Sequence, residues 1–129
     1  MKIKDLMTEI PRVVSPTSSV RFAAEVMRDA DVGALPVVKN GKCIGIITDR
    51  DITIRVTAKG GDPDSKILEA MTTDVSYCRD DDDVDDAAKL IRKTVVRRIP
   101  VLDGDDAVVG MISLADLVRS QVADLRTPA

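Results

Sequence analysis

Apolar residues recur along this chain in two alternating rhythms. Val20, Ala23, Ala24 and Met27 fall at helical spacing, and so do Val84, Ala87, Ala88 and Ile91; positions three and four apart mark one buried face of a helix. Each helix follows a short run of β-formers, Arg12 to Ser15 and Val75 to Cys78. Each precedes two more apolar runs, Ala34 to Val38 with Cys43 to Thr48, and Ile99 to Leu102 with Val108 to Ile112. Asn40-Gly41 and Asp103-Gly104 separate the members of each pair, a tight-turn signal that predicts hairpins. A second helix then begins at Thr48 or Ser113 and is expected to turn Ile52 and Val56, or Leu117 and Val118, inward. The predicted order is β-α-β-β-α, written twice, an α/β (α+β) chain.

Signals at the helix ends agree. Ser18 or Ser19 can cap the first helix, and Asp83 the second, with Asp85 and Asp86 near its positive end. Between the halves, Gly60-Gly61 breaks the chain and Asp62-Pro63 supplies an N-cap followed by a first-turn proline. A short helix from Asp64 to Met71 is expected there, matching Ile3 to Met7 at the start.

The residues repeat as well as the rhythm. Met7-Thr8 returns as Met71-Thr72 and Pro36-Val37 as Pro100-Val101, an offset of 71 − 7 = 100 − 36 = 64. One extra residue in the second turn makes it 65, after which Gly45, Ile47, Thr48, Asp51 and Ile52 face Gly110, Ile112, Ser113, Asp116 and Leu117. The chain divides into repeats 1–60 and 61–129. A half of about sixty residues buries little surface alone, so the repeats are expected to pack about a pseudo-twofold axis, leaving two equivalent clefts between them.

Composition narrows the function. With 44% hydrophobic and 32% charged residues the chain is globular and not disordered. No apolar run approaches the ~18 residues that span a bilayer, and the first residues lack a signal-peptide core, so no membrane association and a cytoplasmic location are expected. A net charge of −3 and a single Phe and Tyr without Trp argue against nucleic acid as a partner. The absence of His removes the commonest general base and metal ligand, which disfavours an enzyme. Cys43 and Cys78 read as separate thiols. The acidic run from Asp80 to Asp86 lacks the spaced ligands and glycine of a calcium loop and reads as a solvated turn and helix start. Met27, Met71 and Met111 occupy apolar positions and are expected in the core.

The chemistry that remains is the duplicated Thr48-x-x-Asp51 and Ser113-x-x-Asp116. A helix start offers unpaired N–H groups and positive potential to a phosphate, and a capping hydroxyl adds a donor. A carboxylate one turn on can accept both hydroxyls of a ribose. The same spacing is also the capping box, which satisfies only the helix's own first turn. Both readings stand at the level of sequence.

The succession Met-Thr, ALPVV, GIITDRD, then RIPVL and GMISLAD resembles a tandem pair of CBS domains, the Bateman module, over essentially the whole chain. MRDADVGALPVV with TDRDI and GGDP is similar to small stand-alone bacterial CBS-pair proteins. The resemblance implies a regulatory module that holds AMP, ADP or ATP in clefts between its repeats, needs no cofactor, forms a homodimer and acts on an unknown regulated protein. In the second cleft it assigns Ser113 and Asp116 to phosphate and ribose, Ile112 and Val32 to adenine, the backbone from Ile10 to Arg12, and Arg98 to the phosphates. In the first it assigns Thr48, Asp51 and Ile47, the backbone of Thr73 to Ser76, and Val96. Gly33 and Ala34 stand where the second repeat has Arg97 and Arg98, so the second cleft is expected to be the more attractive to phosphate. Arg50 is expected to pair with Asp49 or Asp51. The alternative is a ligand-free dimeric scaffold whose Thr-x-x-Asp pairs only cap helices; enzymatic activity ranks third.

Overall fold

A computed structural model describes residues 1–9, 12–93 and 98–119. In chain order the strands and α-helices are β1 (Thr8–Glu9), α1 (Val20–Ala30), β2 (Ala34–Lys39), β3 (Lys42–Thr48), α2 (Asp49–Ile52, continued by a π-helical turn, Thr53–Thr57), β4 (Cys78–Arg79), α3 (Val84–Lys93), β5 (Arg98–Leu102) and β6 (Val108–Ser113). Residues 114–119 are helical and are called α4. This is the mixed α+β fold that the doubled pattern predicts.

Both hairpins form, for reasons local to their turns. Asn40 and Gly41 take positive φ, 52° and 77°, as a two-residue turn matched to strand twist requires. Pairing runs from Lys39 opposite Lys42 to Ala34 opposite Thr48. In the second hairpin Arg98 faces Ser113 and Leu102 faces Val108. Its longer turn is held by the Asp103 carboxylate, which accepts from the Asp105 and Ala107 N–H groups at 2.8 and 3.0 Å. Ser19 caps α1 by accepting from Phe22 N–H at 3.0 Å, and Asp83 accepts from Asp85 N–H at 3.0 Å ahead of α3.

The described residues divide into two compact units, 12–75 in one and 1–9 with 76–93 and 98–119 in the other. Each repeat's hairpin is thus completed by the segment that precedes the other repeat in sequence. In the second unit Ile3 N–H donates to Asp82 O at 2.9 Å, Lys4 N–H to Asp80 O at 3.0 Å, and Val84 N–H to Met1 O at 3.0 Å. In the first, Ile67 N–H donates to Ser18 O at 2.8 Å, Leu68 N–H to Pro16 O at 2.9 Å, and Val20 N–H to Ser65 O at 2.8 Å. These three bonds match at an offset of 64. Much of the acidic run is thereby employed: Asp82 also accepts from Arg79 N–H at 2.9 Å, and Asp81 pairs with Lys4 at 3.0 Å.

Four elements differ from the sequence reading, the first being the opening helix expected over Ile3 to Met7, which is only a 3₁₀ turn, Ile3–Asp5. The strand expected over Arg12 to Ser15 is a single parallel bridge, Val14 to Val37, because Pro16 follows without an N–H to extend the ladder. Its counterpart starts at Cys78, where the expected strand ended, and pairs Cys78 and Arg79 in parallel with Val101 and Leu102. The helix expected from Asp64 to Met71 is only a 3₁₀ turn, Ile67–Glu69. Asp62 does cap the turn before it, accepting from Asp64 N–H at 2.8 Å. Beyond Ser65, whose N–H donates to Asp62 O, the N–H groups of Ile67 and Leu68 are drawn to Ser18 and Pro16 and do not continue a helix.

Each unit has its own core. Val20, Ala23, Met27, Leu35, Val37, Ile47, Val56, Ile67 and Met71 pack together in one, with Ile52 against them. Ile3, Cys78, Ala87, Ile91, Ile99, Val101, Ile112 and Leu117 pack in the other, and Met111 is buried as expected. Two expected core positions are exceptions: Ala24 is exposed, and Val118 is 50% exposed while Leu117 is buried, since neighbouring helix positions lie about 100° apart.

Cys43 and Cys78 are not joined in a disulfide. Burial pushes the Cys78 thiol up to about 11 from an ordinary 9.0, with the charges of Asp82 and Asp86 adding to it. The unfolded chain releases that proton first, so the thiol's contribution to stability is present below pH 9 and is lost as pH rises toward about 11. Urea midpoints measured across that range should fall less steeply for Cys78→Ala than for the unsubstituted protein.

Candidate functional site

Thr48 ends β3 in extended backbone and starts α2. Its Oγ1 accepts from Asp51 N–H at 3.0 Å, and Asp51 Oδ2 accepts from Thr48 N–H at 3.0 Å. The reciprocal box is therefore closed. Asp51 is only 8% exposed, and a carboxylate that deep needs further partners. The Thr72 hydroxyl donates to Oδ1 at 3.2 Å, and Arg55 Nε stands 3.8 Å from it. Arg55 is itself anchored, its Nη1 donating to Met71 O at 3.1 Å.

Thr72 reaches Asp51 because its segment is laid against β3. Ile46 N–H donates to Thr72 O at 2.9 Å and Thr72 N–H to Ile46 O at 2.8 Å. Gly45 permits the approach: a Cβ there would lie 2.6 Å from Thr72 O. In the second unit β1 takes the equivalent place, Thr8 opposite Met111, and a Cβ on Gly110 would meet Thr8 O and Met7 Sδ at 2.7 Å. The glycine that opens each motif is thus explained by backbone packing.

The second motif repeats the box with a different retinue. Asp116 Oδ2 accepts from Ser113 N–H at 2.8 Å, and Ser113 Oγ accepts from Asp116 N–H at 3.2 Å. Asp116 is 3% exposed, and Arg119 pairs with its Oδ1. Arg98, exposed, sits across from Ser113 in the β5–β6 register; Ala34 holds that place opposite Thr48.

The fold therefore gathers Thr48, Asp51 and Ile47 in one unit and Ser113, Asp116, Ile112 and Arg98 in the other. Ile47 and Ile112 are fully buried within their cores. Val32 is half-buried against the core of the 12–75 unit, and Arg12 and Thr73 are exposed there. Ser76 is half-buried in the other unit. Ile10, Val96 and Arg97 lie outside the described residues. The cation beside Asp51 is Arg55 and not Arg50, whose backbone N–H donates to Asp49 Oδ1 at 2.8 Å; one full turn brings position i+4 alongside, whereas adjacent positions diverge. Arg55, Arg119 and the role of Thr72 were missed from sequence, although Asp-x-x-x-Arg and Asp-x-x-Arg spacings were there to be read.

Comparison with known proteins covers both repeats. The CBS-domain family model matches residues 3–57 and 65–123. The CBS domain-containing protein YhcV of Bacillus subtilis (strain 168) is 36% identical over 122 residues, 95% of this chain and 86% of that one. Among solved structures, CBSX2, a CBS-pair protein from Arabidopsis thaliana, was determined in complex with AMP; it has a TM-score of 0.80 and 27% identity over 97% of this chain and 98% of its own. The CBS-domain pair of protein MJ0100, in complex with 5′-methylthioadenosine and S-adenosyl-L-methionine, has a TM-score of 0.85 and 29% identity over 96% of this chain and 98% of its own.

Proposed function

Because the chain belongs to the CBS-domain family and carries two of its repeats, a Bateman module, we propose that it is a non-enzymatic regulatory module that takes an adenosine compound, AMP, ADP or ATP, between those repeats. The observation that carries this reading is the duplicated helix start, a hydroxyl and a nearly buried carboxylate at the end of a strand in each unit. Similar CBS pairs that hold AMP or S-adenosyl-L-methionine support it.

In the second site Ser113 and the first N–H groups of α4 face the phosphate, Asp116 the ribose diol and Arg98 the outer phosphates. For adenine we assign Val32 and the backbone at Arg12, while Ile112 stays within its own core. A first site would draw on Thr48, Asp51 and the backbone of Thr73 to Ser76, and with Ala34 where the second has Arg98 it is the weaker of the two. Apolar cover plus backbone hydrogen bonds suits adenine recognition in a chain this poor in aromatics. No helix among the described residues is long and apolar enough to cross a membrane; we place the module in the cytoplasm, as a homodimer that reports to another protein.

A ligand present at a hundred times its Kd stabilises a folded protein by about 2.7 kcal/mol. Saturating AMP, ADP or ATP should accordingly raise the melting temperature by about 8 °C, and Asp116→Ala should remove most of the rise. An unmoved melting temperature with all three nucleotides would favour the second reading, a ligand-free dimeric scaffold. The closed boxes and deep carboxylates are the specific observations on its side.

A further inference from the structure

The two repeats hold the same carboxylate in different ways. Asp51 is tied into a network that includes Thr72 and Arg55, and Arg55 also grips the Ala70 and Met71 carbonyls. Freeing Asp51 would loosen the segment that completes its own unit. Asp116 is held outside its capping box by Arg119 alone among the described residues, and no hydrogen bond from the Thr8 hydroxyl replaces that of Thr72. The Arg119 side chain is 65% exposed while that of Asp116 is 5% exposed. An exposed guanidinium changes partners at small cost, and a phosphate offers it two oxygens in a geometry that it matches.

The surrounding charge points the same way. Asp49 follows Thr48, whereas Leu114 follows Ser113; Ala34 lies opposite Thr48, whereas Arg98 lies opposite Ser113. The second helix start thus has a cation across the hairpin where the first has none.

We propose that Arg119 is a latch that determines specificity: it occupies Asp116 until a ligand phosphate draws it away, so that the second repeat accepts nucleotides over nucleosides while Asp51 remains a structural tie. This rests on the adenosine reading above. A neutral nucleoside has nothing with which to recruit the guanidinium and must displace it unaided.

Calorimetric titration of the full chain with AMP and with adenosine tests the latch. The unsubstituted protein should bind one AMP per chain, about tenfold or more tighter than adenosine. Arg119→Gln should tighten adenosine and weaken AMP, collapsing that ratio toward one, while Arg119→Lys should retain most of it. An unchanged ratio in Arg119→Gln, an equal weakening of both ligands, or two AMP bound with equal affinity per chain would overturn the latch while leaving adenosine binding intact. Absence of heat with AMP, ADP, ATP and adenosine in every variant would overturn the adenosine reading and the latch together.

Discussion

Gly45→Ala is expected to lower the melting temperature by about 10 °C, although alanine in general improves on glycine inside regular structure. The added methyl would stand 2.6 Å from Thr72 O, and the obstacle is backbone, which cannot rotate aside. Relief means separating the Met71-Thr72 segment from β3 and breaking the reciprocal Ile46–Thr72 bonds of 2.9 and 2.8 Å. Overpacking of this kind costs about 1–3 kcal/mol, and each lost hydrogen bond about 0.5–1.5 kcal/mol. A combined loss of about 2–4 kcal/mol corresponds to the stated shift for a chain of this size. Gly110→Ala meets Thr8 O and the more pliable Met7 Sδ, both at 2.7 Å, and should cost somewhat less. Thermal unfolding followed by circular dichroism measures both; a Gly45→Ala midpoint within 2 °C of the unsubstituted protein would show that the close approach is not a constraint.

Ile3→Ala should weaken the far end of the chain and spare its neighbours in sequence. Ile3 and Ile67 are equivalent across the repeat, both fully buried, yet Ile3 packs with Ala87, Ile91, Ile99 and Ile112 and Ile67 with Val20, Leu35 and Ile47. Truncating a buried isoleucine to alanine typically costs about 2–5 kcal/mol, through lost transfer energy and the cavity left behind. Native-state hydrogen exchange should show accelerated amides in α3, β5 and β6 for Ile3→Ala, and in α1, β2 and β3 for Ile67→Ala. Equal acceleration of both sets in either variant would mean that the two cores do not open independently. The reversed pattern, with residue 3 felt in α1, would mean that the segments are not exchanged.

That exchange was the main feature hidden from the sequence. Register, hairpins and caps are local matters: Asn40-Gly41 carries its own turn, Ser19 its own cap, and the valine and alanine spacing of α1 its own buried face. The repeat offset also located Met7-Thr8 and Met71-Thr72 as anchors. Nothing in the spacing says which hairpin each anchor lies against, because both hairpins present the same glycine. The helix expected from Asp64 failed for the same reason, since its N–H groups found carbonyls on Ser18 and Pro16 that only the tertiary fold brings near.

The candidate site was legible in part. Thr48 with Asp51 and Ser113 with Asp116 were found by their spacing, and the box geometry that sequence left open is formed in both units. What pattern could not reveal was how deeply the carboxylates sink, or that Arg55 and Arg119 would hold them so differently. Ile47 and Ile112 show the limit from the other side: an apolar residue beside a polar motif can serve the core completely.

The crossed leading segments also change what a nick in the chain would produce. Gly60 and Gly61 form the natural break between the repeats, but a cut there does not release two self-sufficient halves. The front fragment would carry away Ile3, on which the rear one depends, and the rear fragment would keep Ile67, on which the front one depends. Each piece would be an incomplete molecule holding the other's missing part, so that duplication has yielded mutual dependence in place of redundancy.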